Sequence, residues 1–560
     1  MASRTELLGL YNWDITDQVQ TTISNISENF SLLEKRALEM SVNVKDYNIG
    51  AKGDYNIANK TGTSDSAAIQ KALNLAISQG GVAIFVPDGV YRLTSELVIY
   101  KNTKIIMSPN AVLFRDHNGY VFLNGAREDK KTAGYTGNGN LIIQGGTIDA
   151  NGVVRTGKAS IMHIAHAENI LFEDVTFKDC SRSHHIEFNS CQNVVVNKCK
   201  FLGHVLNADE IFNEAIQLDL PKRNYGSTFG LNDDTPCRNV WIMNSYFGPN
   251  PDSSSGDIGR AFGSHAATIN RRHENIHFLS NVVENTRSWA VRVYSYQNFN
   301  VSNNIFKHCG AGINCRTPIL ADKADTEDQN GNQTNASQHC YNGMISNNIF
   351  HDCGMDGRII EVYGESSGYY YNVNIVGNSI QNLGNDQSDS VFLNKVRDCT
   401  VNGNAMFSPK LSGIVGNSEC WGLTIANNTI ESPGKHGISL GGSSNYCMIA
   451  SNAIKRAWNN GIVLEGGNVH VIANNSIGGA NGAKGSGDAN NHIRIVSSAK
   501  RVSVVGNVCR NYSTTHSTTH ALYVTSTCED VSTAGNVFAG FTAYNGATAT
   551  GTVSSNGDII

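Results

Sequence analysis

The sequence predicts an all-β solenoid: a right-handed single-stranded parallel β-helix with a capping helix and an N-terminal coiled coil. Three observations support this. A short Asn-containing phrase recurs along most of the chain, glycine is abundant while proline is scarce, and a heptad pattern precedes the repeats. With 55 glycines, 9 prolines and 16 % charged residues among 560, the composition suits many short strands joined by tight turns. Disorder would require fewer aliphatic residues and a higher net charge.

The repeated phrase is Asn-Asn, Gly-Asn or Ser-Asn followed by two mostly apolar residues, and its second Asn is a convenient marker. The markers are Asn304, Asn348, Asn378, Asn404, Asn428, Asn452, Asn475, Asn507 and Asn536. Their steps are 44, 30, 26, 24, 24, 23, 32 and 29 residues, so the base period near 23 matches one β-helix coil. The step of 44 indicates two coils or one large insertion. We expect the marker Asn in a turn, where left-handed geometry and amide ladders favour it.

A heptad pattern lies near the N-terminus. Its apolar positions follow spacings of 4 and 3 without a break: Val19, Ile23, Ile26, Phe30, Leu33, Ala37 and Met40. β-branched residues and a Phe at core positions favour a trimer at least as well as a dimer. The alternative is an amphipathic helix packed on its own chain. We assign residues 1–43 to an attachment segment and a trimeric coiled coil.

The solenoid begins with a helix and a strand. Ser64 or Asp65 can cap a helix over 67–78, which Gly80 and Gly81 would end, and a strand follows over 82–87. We assign 44–115 to the start of the β-helix with its capping helix. The β-helix proper is expected over 116–540, with a closing segment over 541–560.

The start of the solenoid resembles a known family. The order Val44-Lys45-Asp46-Tyr47, then Gly50-Ala51-Lys52-Gly53-Asp54, then the helix and the strand with its Pro-Asp-Gly-Val-Tyr ending looks like the opening of the pectate-lyase-like superfamily. Phage tailspike and neck-appendage members are the most similar. Asn48 and Ile49 depart from the pattern by intervening before Gly50. The resemblance implies a β-helix capped by the helix and assembled as a homotrimer, with the N-terminus bound to virion tail or neck proteins.

Charge and hydropathy exclude several classes. The formal charge is −5, from 43 basic and 48 acidic residues, and no basic stripe is present, so nucleic acid is not an expected partner. Neither an 18-residue apolar run nor a signal peptide is found, so no membrane partner is expected. A surface-acting protein without an export signal fits a virion component made in the host cytoplasm and acting outside the cell. The 13 cysteines lack metal-site spacing and are expected as reduced core residues.

Insertions concentrate in residues 202–300, where loops on a rigid solenoid would form a cleft. On a strand, Gln217 and Asp219 share one face and Glu214 lies on the other, so Glu214 and Asp219 face the same side only if the strand bends. We assign both as the catalytic acid and base of glycoside hydrolysis. Asp209 and Glu210 are reserves for these roles and otherwise substrate-binding.

The same region is similar to polygalacturonase-like glycoside hydrolases, which invert configuration. An acidic strand, then Gly-x-His, then apolar-Arg-apolar matches Glu214 to the first acid, His265 to the histidine and Arg292 to the arginine. Tyr294 replaces the family's lysine, and the family's Asp-Asp pair is missing from the strands. Arg292 is expected to hold an anionic sugar group and His265 to orient or shuttle a proton.

Two further groups are candidate substrate-binding residues. His185 and Glu187 lie one or two coils earlier, where adjacent strand positions point to opposite faces, so a metal site is disfavoured. Glu361 and Tyr363 alternate onto one strand face and would extend a sugar groove. No metal or cofactor is expected.

The predicted function is a phage tailspike depolymerase that hydrolyses a bacterial capsular polysaccharide, exopolysaccharide or wall teichoic acid during host adsorption. One alternative is a lyase acting on a uronic-acid polymer, with Arg292, His265 or Tyr294 as the base. Another is a receptor-binding fibre without activity. A secreted bacterial pectinase is disfavoured because no export signal is found.

Overall fold

A computed structural model describes residues 3–4, 11–12, 41–223, 228–355, 357–381, 388–482, 490–511, 518, 520–539, 541, 543–545 and 553–558. Over these residues the strands pair in parallel from coil to coil and form three faces, which we call A, B and C. Ser3–Arg4 and Tyr11–Asn12 pair separately and antiparallel. The predicted parallel β-helix is confirmed. The predicted coiled coil at 19–40 lies outside the described residues.

Face A precedes face B in each coil, and face C follows face B. The strands of face A are Leu97–Val98, Phe122–Leu123, the first parts of Met162–Glu173 and Ile186–Asn197, Glu214–Asp219, Arg260–Gly263, Trp289–Tyr294, Ala311–Arg316, Ile360–Tyr363, Val391–Asn394, Ile414–Gly416, Ile438–Leu440, Ile462–Glu465, Ile493–Val496, His520–Val524 and Ala543–Asn545.

The strands of face B are Val42–Asn43, Val82–Val86, Thr103–Met107, Leu141–Gln144, the second parts of Met162–Glu173 and Ile186–Asn197, Arg238–Met243, His273–Leu279, Tyr296–Ser302, Cys340–Ser346, Tyr370–Val376, Val396–Arg397, Thr400–Asn402, Thr424–Ala426, Met448–Ala450, Asn468–Ala473, Lys500–Val505, Glu529–Ala534 and Val553–Asn556.

The strands of face C are Gly89–Leu93, Ala111–Arg115, Thr147–Asp149, Thr176–Ser181, Lys200–Val205, Tyr246–Gly248, Val282–Glu284, Ile305–Lys307, Ile349–His351, Ser379–Gln381, Ala405–Phe407, Thr429–Glu431, Ala453–Lys455, Ser476–Gly478, Val508–Arg510 and Val537–Ala539. Short 3₁₀ turns lie at Ala208–Glu210 and Ala324–Thr326.

The predicted capping helix is present as two pieces, Ser66–Leu73 and Leu75–Gln79, and Gly80 ends the second in the left-handed region with φ 74°. Asp65 occupies the N-cap position but does not cap through its side chain. Its carboxylate instead accepts hydrogen bonds from the main-chain N–H groups of Lys52, at 2.6 Å, and Gly53, at 3.2 Å. Asp65 therefore ties the preceding loop to the helix start.

The interior is a column of stacked apolar side chains, as a solenoid requires. Phe201 lies between Phe177 and Phe247 with ring centroids 5.1 and 4.7 Å away and nearly parallel planes. Each of the 13 cysteines is buried and none is joined in a disulfide. The core is thus built from similar side chains that repeat at the spacing of neighbouring strands, about 4.8 Å.

The marker asparagines form one continuous buried ladder. The main-chain N–H of Asn428 donates to the Asn452 side-chain oxygen at 3.0 Å, and its Nδ2 donates to the same oxygen at 2.9 Å and to the Val401 carbonyl. Each marker repeats this pattern toward the next coil. The bond from Asn304 to Asn348 shows that the 44-residue step is one coil with a large insertion.

Two details of the ladder differ from expectation. The left-handed residue is the one before each marker, such as Asn427 with φ 56°, so the marker itself supplies only the ladder amide. The ladder also begins earlier than predicted, at Asn281, whose oxygen accepts from Ser245. At the other end Asp558 accepts from Asn536, and strands at 543–545 and 553–556 continue the stack past residue 540.

Candidate functional site

Face A carries a cleft of about 730 Å³ across its successive strands. Its lining is Phe212, Asn213, Arg260, His265, Trp289, Arg292, Asn314, Arg316, Gly357, Arg358, Glu361, Asp389 and Leu411. Four arginines and two carboxylates are among these residues. It extends from residue 212 to 411, well beyond the predicted 202–300 window.

The strand Glu214–Asp219 holds the two acids beneath His265, which lines the cleft. Ala215 and Ile216 both pack in the core, so the strict alternation of side chains is interrupted at this point. Beyond it, Leu218 points inward while Gln217 and Asp219 are turned outward. This interruption is the bend that the sequence required for Glu214 and Asp219 to approach the same group.

Glu214 and Asp219 converge on one imidazole. Nδ1 of His265 lies 3.4 Å from Glu214 Oε2, and its Nε2 lies 3.7 Å from Asp219 Oδ2. The Gln217 amide nitrogen lies 3.0 Å from Asp219 Oδ2 and 3.0 and 3.1 Å from the two ring nitrogens. The structure thus brings together three of the four residues that the sequence predicted as catalytic.

Glu214 has no access to the cleft, because its side chain is fully buried. Its Oε1 accepts a hydrogen bond from Arg260 at 3.0 Å, and its main-chain carbonyl lies 2.8 Å from His184 Nδ1. Burial opposes its ionisation, but His265 and Arg260 outweigh burial and hold the pKa of Glu214 well below its usual value. Direct contact of Glu214 with a sugar, as predicted, is therefore not available in this structure.

Asp219 has the opposite electrostatic character. Burial, with Glu214 nearby, raises the pKa of Asp219 to about 7 against the opposing pull of His265, and its Oδ1 has no hydrogen-bond partner among the described residues. Burial opposes the charge on His265, but Asp219 and Glu214 outweigh it and raise its pKa to about 9. About 45 % of the His265 side chain is exposed to the cleft. Near neutral pH the site therefore holds a protonated imidazole beside a carboxyl that can carry a proton.

Glu187 lies on the strand next to Asp219. In the register Glu187 pairs with Gln217 and Asn189 pairs with Asp219. Glu187 Oε2 lies 3.0 Å from His163 Nδ1, and its Oε1 accepts from Asn189 at 3.0 Å. Although burial opposes ionisation, the His163 imidazole holds the pKa of Glu187 well below its usual value. The Glu187 side chain is 19 % exposed, although neither Glu187 nor Asp219 is among the residues that line the cleft.

The four cleft arginines differ in their partners. Arg260 pairs with Glu214, and Arg316 pairs with Glu365 at 2.8 Å. Arg358 pairs with Glu361 and lies 3.6 Å from Asp389. Among the described residues no carboxylate pairs with Arg292.

The Arg292 guanidinium lies 4.3 Å from the centre of the Tyr294 ring. It is half-buried, so it is both positioned by its neighbours and open to the cleft. Arg292 is therefore a positioned cation available to an anionic ligand.

Several predicted substrate-binding residues lie away from the cleft. His185 is fully buried because its strand turns it inward against Phe201 and His204. Tyr294 is also fully buried, and its hydroxyl donates to Asp325 at 2.5 Å. Both predictions of ligand contact are wrong for this structure.

The two reserve acids do not enter the cleft either. Glu210 forms a bidentate pair with Arg182 and closes the capping box of the 3₁₀ turn Ala208–Glu210. Asp209 is exposed on the same turn, outside the lining. Glu210 is therefore held in a structural ion pair, while substrate contact by the exposed Asp209 stays a prediction.

Glu361 and Tyr363 share the outer side of their strand, as the alternation predicted. Glu361 Oε1 accepts from Asn314 at 3.0 Å and lines the far end of the cleft. Tyr363 is half-buried beneath Arg316, whose guanidinium lies 4.6 Å from the ring centre.

Sequence reasoning missed most of the lining. Arg260, Trp289, Phe212 and Asp389 carry no motif of their own. The strand register does indicate part of the cleft, because one outward column on consecutive strands holds Gln217, Gly263, Arg292, Asn314 and Glu361. Aligning the coils by this column would have placed the distant Glu361 in line with Arg292.

The described residues hold no cluster of three or more His, Cys, Asp or Glu side chains arranged for a metal ion. Within the same part of the chain no helix is long and apolar enough to cross a bilayer.

A part of the chain matches the model of a known family. Residues 41–314 match the family model described as rhamnogalacturonase A/epimerase, pectate lyase-like. The matched region includes Glu187, Asp219, His265 and Arg292.

A curated relative covers more of the chain. Plasmin and fibronectin-binding protein A of Streptococcus pneumoniae (strain ATCC BAA-255 / R6) is 27 % identical over 461 residues, or 73 % of this chain. The match spans 61 % of that relative's length.

Two solved structures of PfbA, a surface adhesin of Streptococcus pneumoniae, are also similar. One has a TM-score of 0.60 at 23 % identity and covers 72 % of this chain and 92 % of that one. The other has a TM-score of 0.59 at 25 % identity and covers 72 % of this chain and all of that one. The chain therefore has the pectate-lyase-like parallel β-helix fold.

Proposed function

We propose that this protein hydrolyses an anionic bacterial surface polymer, with Asp219 as the general acid and Glu187 as the general base. The observation that carries the proposal is the contrast between these two acids on neighbouring strands. Burial raises the pKa of Asp219 to about 7, while His163 holds the pKa of Glu187 well below its usual value. Carboxyls whose pKa values are driven apart are the mark of an acid and base pair.

Spacing supports the same pair. Glu187 pairs with Gln217, and Asp219 lies two residues further along that strand. Strand separation and rise then put their Cα atoms roughly 8 Å apart. Inverting glycosidases hold their two carboxyls about 6.5–9.5 Å apart, to leave room for a water molecule. We therefore expect hydrolysis with inversion.

The other acids have different roles in this proposal. Glu214, buried and ionised, positions Arg260 and His265 rather than touching the sugar. Glu361 lies four strands from Asp219, or roughly 19 Å along the axis, which is too far to act on the same bond. Glu361 and Arg358 would contact a different sugar of the polymer.

Charge supports an anionic polymer. Arg292 has no carboxylate partner among the described residues, and His265 is cationic at neutral pH. A carboxylate or phosphate on the polymer would supply the missing partner, and the guanidinium can bind either group through two hydrogen bonds. Phe212 and Trp289 at the cleft wall offer apolar faces to the sugar rings.

A lyase reaction is less well supported, because it needs an unprotonated base beside the substrate. The hydroxyl of Tyr294 is buried and donates to Asp325, and burial raises its pKa. His265 holds a proton through the neutral range. Arg292 is then the remaining base of those considered.

In this proposal the protein is a homotrimeric tailspike or neck appendage of a virion, assembled in the host cytoplasm and acting outside the cell. Capsular polysaccharide, exopolysaccharide and wall teichoic acid are its candidate polymers. The heptad pattern at 19–40 supports the trimer. Mass photometry of the full chain and of a chain lacking residues 1–40 tests this, with a shift from trimer to monomer expected.

A second candidate function is adhesion to host protein without catalysis. The 27 % identity with plasmin and fibronectin-binding protein A over 73 % of the chain favours it. Nanomolar binding of plasmin or fibronectin, together with no shortening of any glycan, would support adhesion over hydrolysis.

The deciding experiment incubates purified protein with capsular, exopolysaccharide and teichoic acid preparations and follows polymer length by size-exclusion chromatography. Wild type is expected to shorten at least one anionic polymer, and Asp219→Asn to slow this by about 10²–10⁴-fold. Asp209→Asn, on an exposed turn, is the matched control and should retain full activity. Equal activity of Asp219→Asn and wild type would contradict the assignment.

A further inference from the structure

A second surface of the β-helix carries a column of flat side chains. Tyr341 pairs in register with Tyr371, Tyr371 with Arg397, and Arg397 with Trp421. These four residues, on consecutive coils at the corner where face A turns into face B, are called the aromatic strip. Four coils span roughly 14 Å along the axis.

The side chains of the strip stack on one another. The rings of Tyr341 and Tyr371 are 5.4 Å apart with an interplanar angle of 22°. The Arg397 guanidinium lies 4.6 Å from the Trp421 ring centre and 4.3 Å from that of Tyr369. Stacking fixes these groups in place, so a ligand meets a preformed surface.

The outer end of the strip is open. Trp421 is 40 % exposed, and Tyr446 beside it is 58 % exposed, with ring centroids 5.9 Å apart. Large aromatic side chains are usually buried, so adjacent exposed rings indicate an interaction surface. Internal stacking alone does not account for this exposure.

The strip is also cationic. Arg272 lies 5.5 Å from the centre of the Tyr341 ring and donates to the main-chain oxygen of His339. Among the described residues no carboxylate forms an ion pair with Arg272 or Arg397. The nearby Glu419 is engaged by Lys395 and by the Tyr369 hydroxyl. The surface therefore complements an anionic ligand that also has apolar faces.

The strip continues from the cleft. Tyr341 and Tyr371 belong to the same coils as the cleft residues Asn314 and Glu361, one corner further along the chain. Arg316, at the cleft wall, lies against Tyr363 and pairs with Glu365 just before this corner. A polymer leaving the cleft across Arg316 would reach the strip directly.

We propose that the aromatic strip is a second binding site for the anionic polysaccharide, holding a segment of the chain outside the cleft. Sugar rings would stack on Trp421, Tyr446 and Tyr371, while Arg397 and Arg272 bind the acidic groups. This inference rests on the proposed function for its ligand, but the strip acts only in binding. Its loss should weaken the hold on long polymer and leave the chemistry in the cleft intact.

The test measures retardation of the full-length protein in native gels that contain polygalacturonate, hyaluronate or neutral dextran. At least one acidic polymer should retard wild type and dextran should not. The triple variant Arg397→Gln, Trp421→Ala, Tyr446→Ala should raise the apparent Kd for that polymer by at least fivefold. Tyr523→Ala removes an aromatic partner of Arg494 elsewhere on face A and is the matched control, with unchanged retardation expected.

The outcomes separate the two proposals. Two results would contradict a binding role for the aromatic strip. One is undiminished retardation of a triple variant that has a wild-type melting curve. The other is no retardation of wild type by either acidic polymer. If the triple variant binds poorly but wild type shortens no polymer, the role of the aromatic strip in binding is supported and the hydrolase proposal fails. If Asp219→Asn abolishes shortening while the triple variant binds as wild type does, the hydrolase proposal is supported and the proposed binding role of the aromatic strip is wrong.

Discussion

Two parts of the same β-helix differ in the polar groups that they bury. Coils between residues 400 and 480 repeat every 23 or 24 residues, and many of their buried polar groups are ladder amides such as Asn428 and Asn452. Coils between residues 160 and 330 carry loop insertions and bury charged pairs, including Glu214 with Arg260 and Lys222 with Asp325. The first part stacks mainly through ladder amides, and the second carries the candidate catalytic residues.

The contrast shows what a buried charge means in this fold. A ladder amide satisfies its hydrogen bonds with the next coil and needs no further partner. A buried carboxylate must lose its hydration, so it persists where a cation or several hydrogen-bond donors hold it, as main-chain N–H groups hold Asp65. The ion pairs of Glu214 with Arg260 and His265 therefore belong to the irregular coils, since the coils between residues 400 and 480 stack without a buried ion pair.

The largest expected effect comes from breaking the buried pair. Glu214→Gln leaves the Arg260 charge buried without its carboxylate, and should lower the free energy of unfolding by about 3–5 kcal/mol. Glu431→Gln breaks the pair with Arg456, which is half exposed, and should cost at most about 1 kcal/mol. Chemical denaturation of both variants measures the difference. Equal losses would contradict the distinction between the two parts.

Substitution in the asparagine ladder should give the next largest loss of stability. Asn428→Ala removes bonds to Val401, Asn404 and Asn452 and leaves buried groups unpaired, so a loss of about 2–4 kcal/mol is expected. Asn427→Gly keeps the left-handed backbone and removes only an exposed amide bond, so it should be nearly neutral. Thermal unfolding compares them, and similar midpoints would show that the ladder is dispensable.

Arg292 should affect binding more than turnover. Arg292→Lys keeps the charge but loses the bidentate geometry, so KM for the polymer should rise by about tenfold while kcat stays within about twofold. Arg456→Lys, far from the cleft, should leave both constants unchanged. Initial-rate kinetics make this comparison, and an unchanged KM would remove Arg292 from the binding site.

The pH profile is the finest test. Asp219 must carry its proton to act, so kcat/KM should fall about tenfold for each pH unit above about 7. The folded pKa of Asp219 is raised above its ordinary 3.8, so its contribution to stability is greatest below about pH 4 and declines as the pH rises to about 7. A profile that stays flat from pH 6 to 9 would exclude Asp219 as the acid.

The sequence predicted the fold well because each coil of the β-helix is specified by a short stretch of consecutive residues. Each marker Asn and each apolar pair reports one coil, so spacing alone revealed the stack. The site depends on side chains that meet only after stacking: His265 lies between Glu214 and Asp219 because its coil stacks on the coil that carries both acids. A break in strand alternation at Ala215 and Ile216, which no motif signals, turns Glu214 and Asp219 toward the same imidazole.

Hydrolysis at the irregular coils is tested most directly by digesting the responsive polymer in water enriched in ¹⁸O and analysing the new ends by mass spectrometry. The account predicts one ¹⁸O atom at each new reducing end with wild type, and new ends formed at about 10²–10⁴-fold lower rate with Asp219→Asn. New ends that carry a double bond and no ¹⁸O, or no new ends at all, would contradict it.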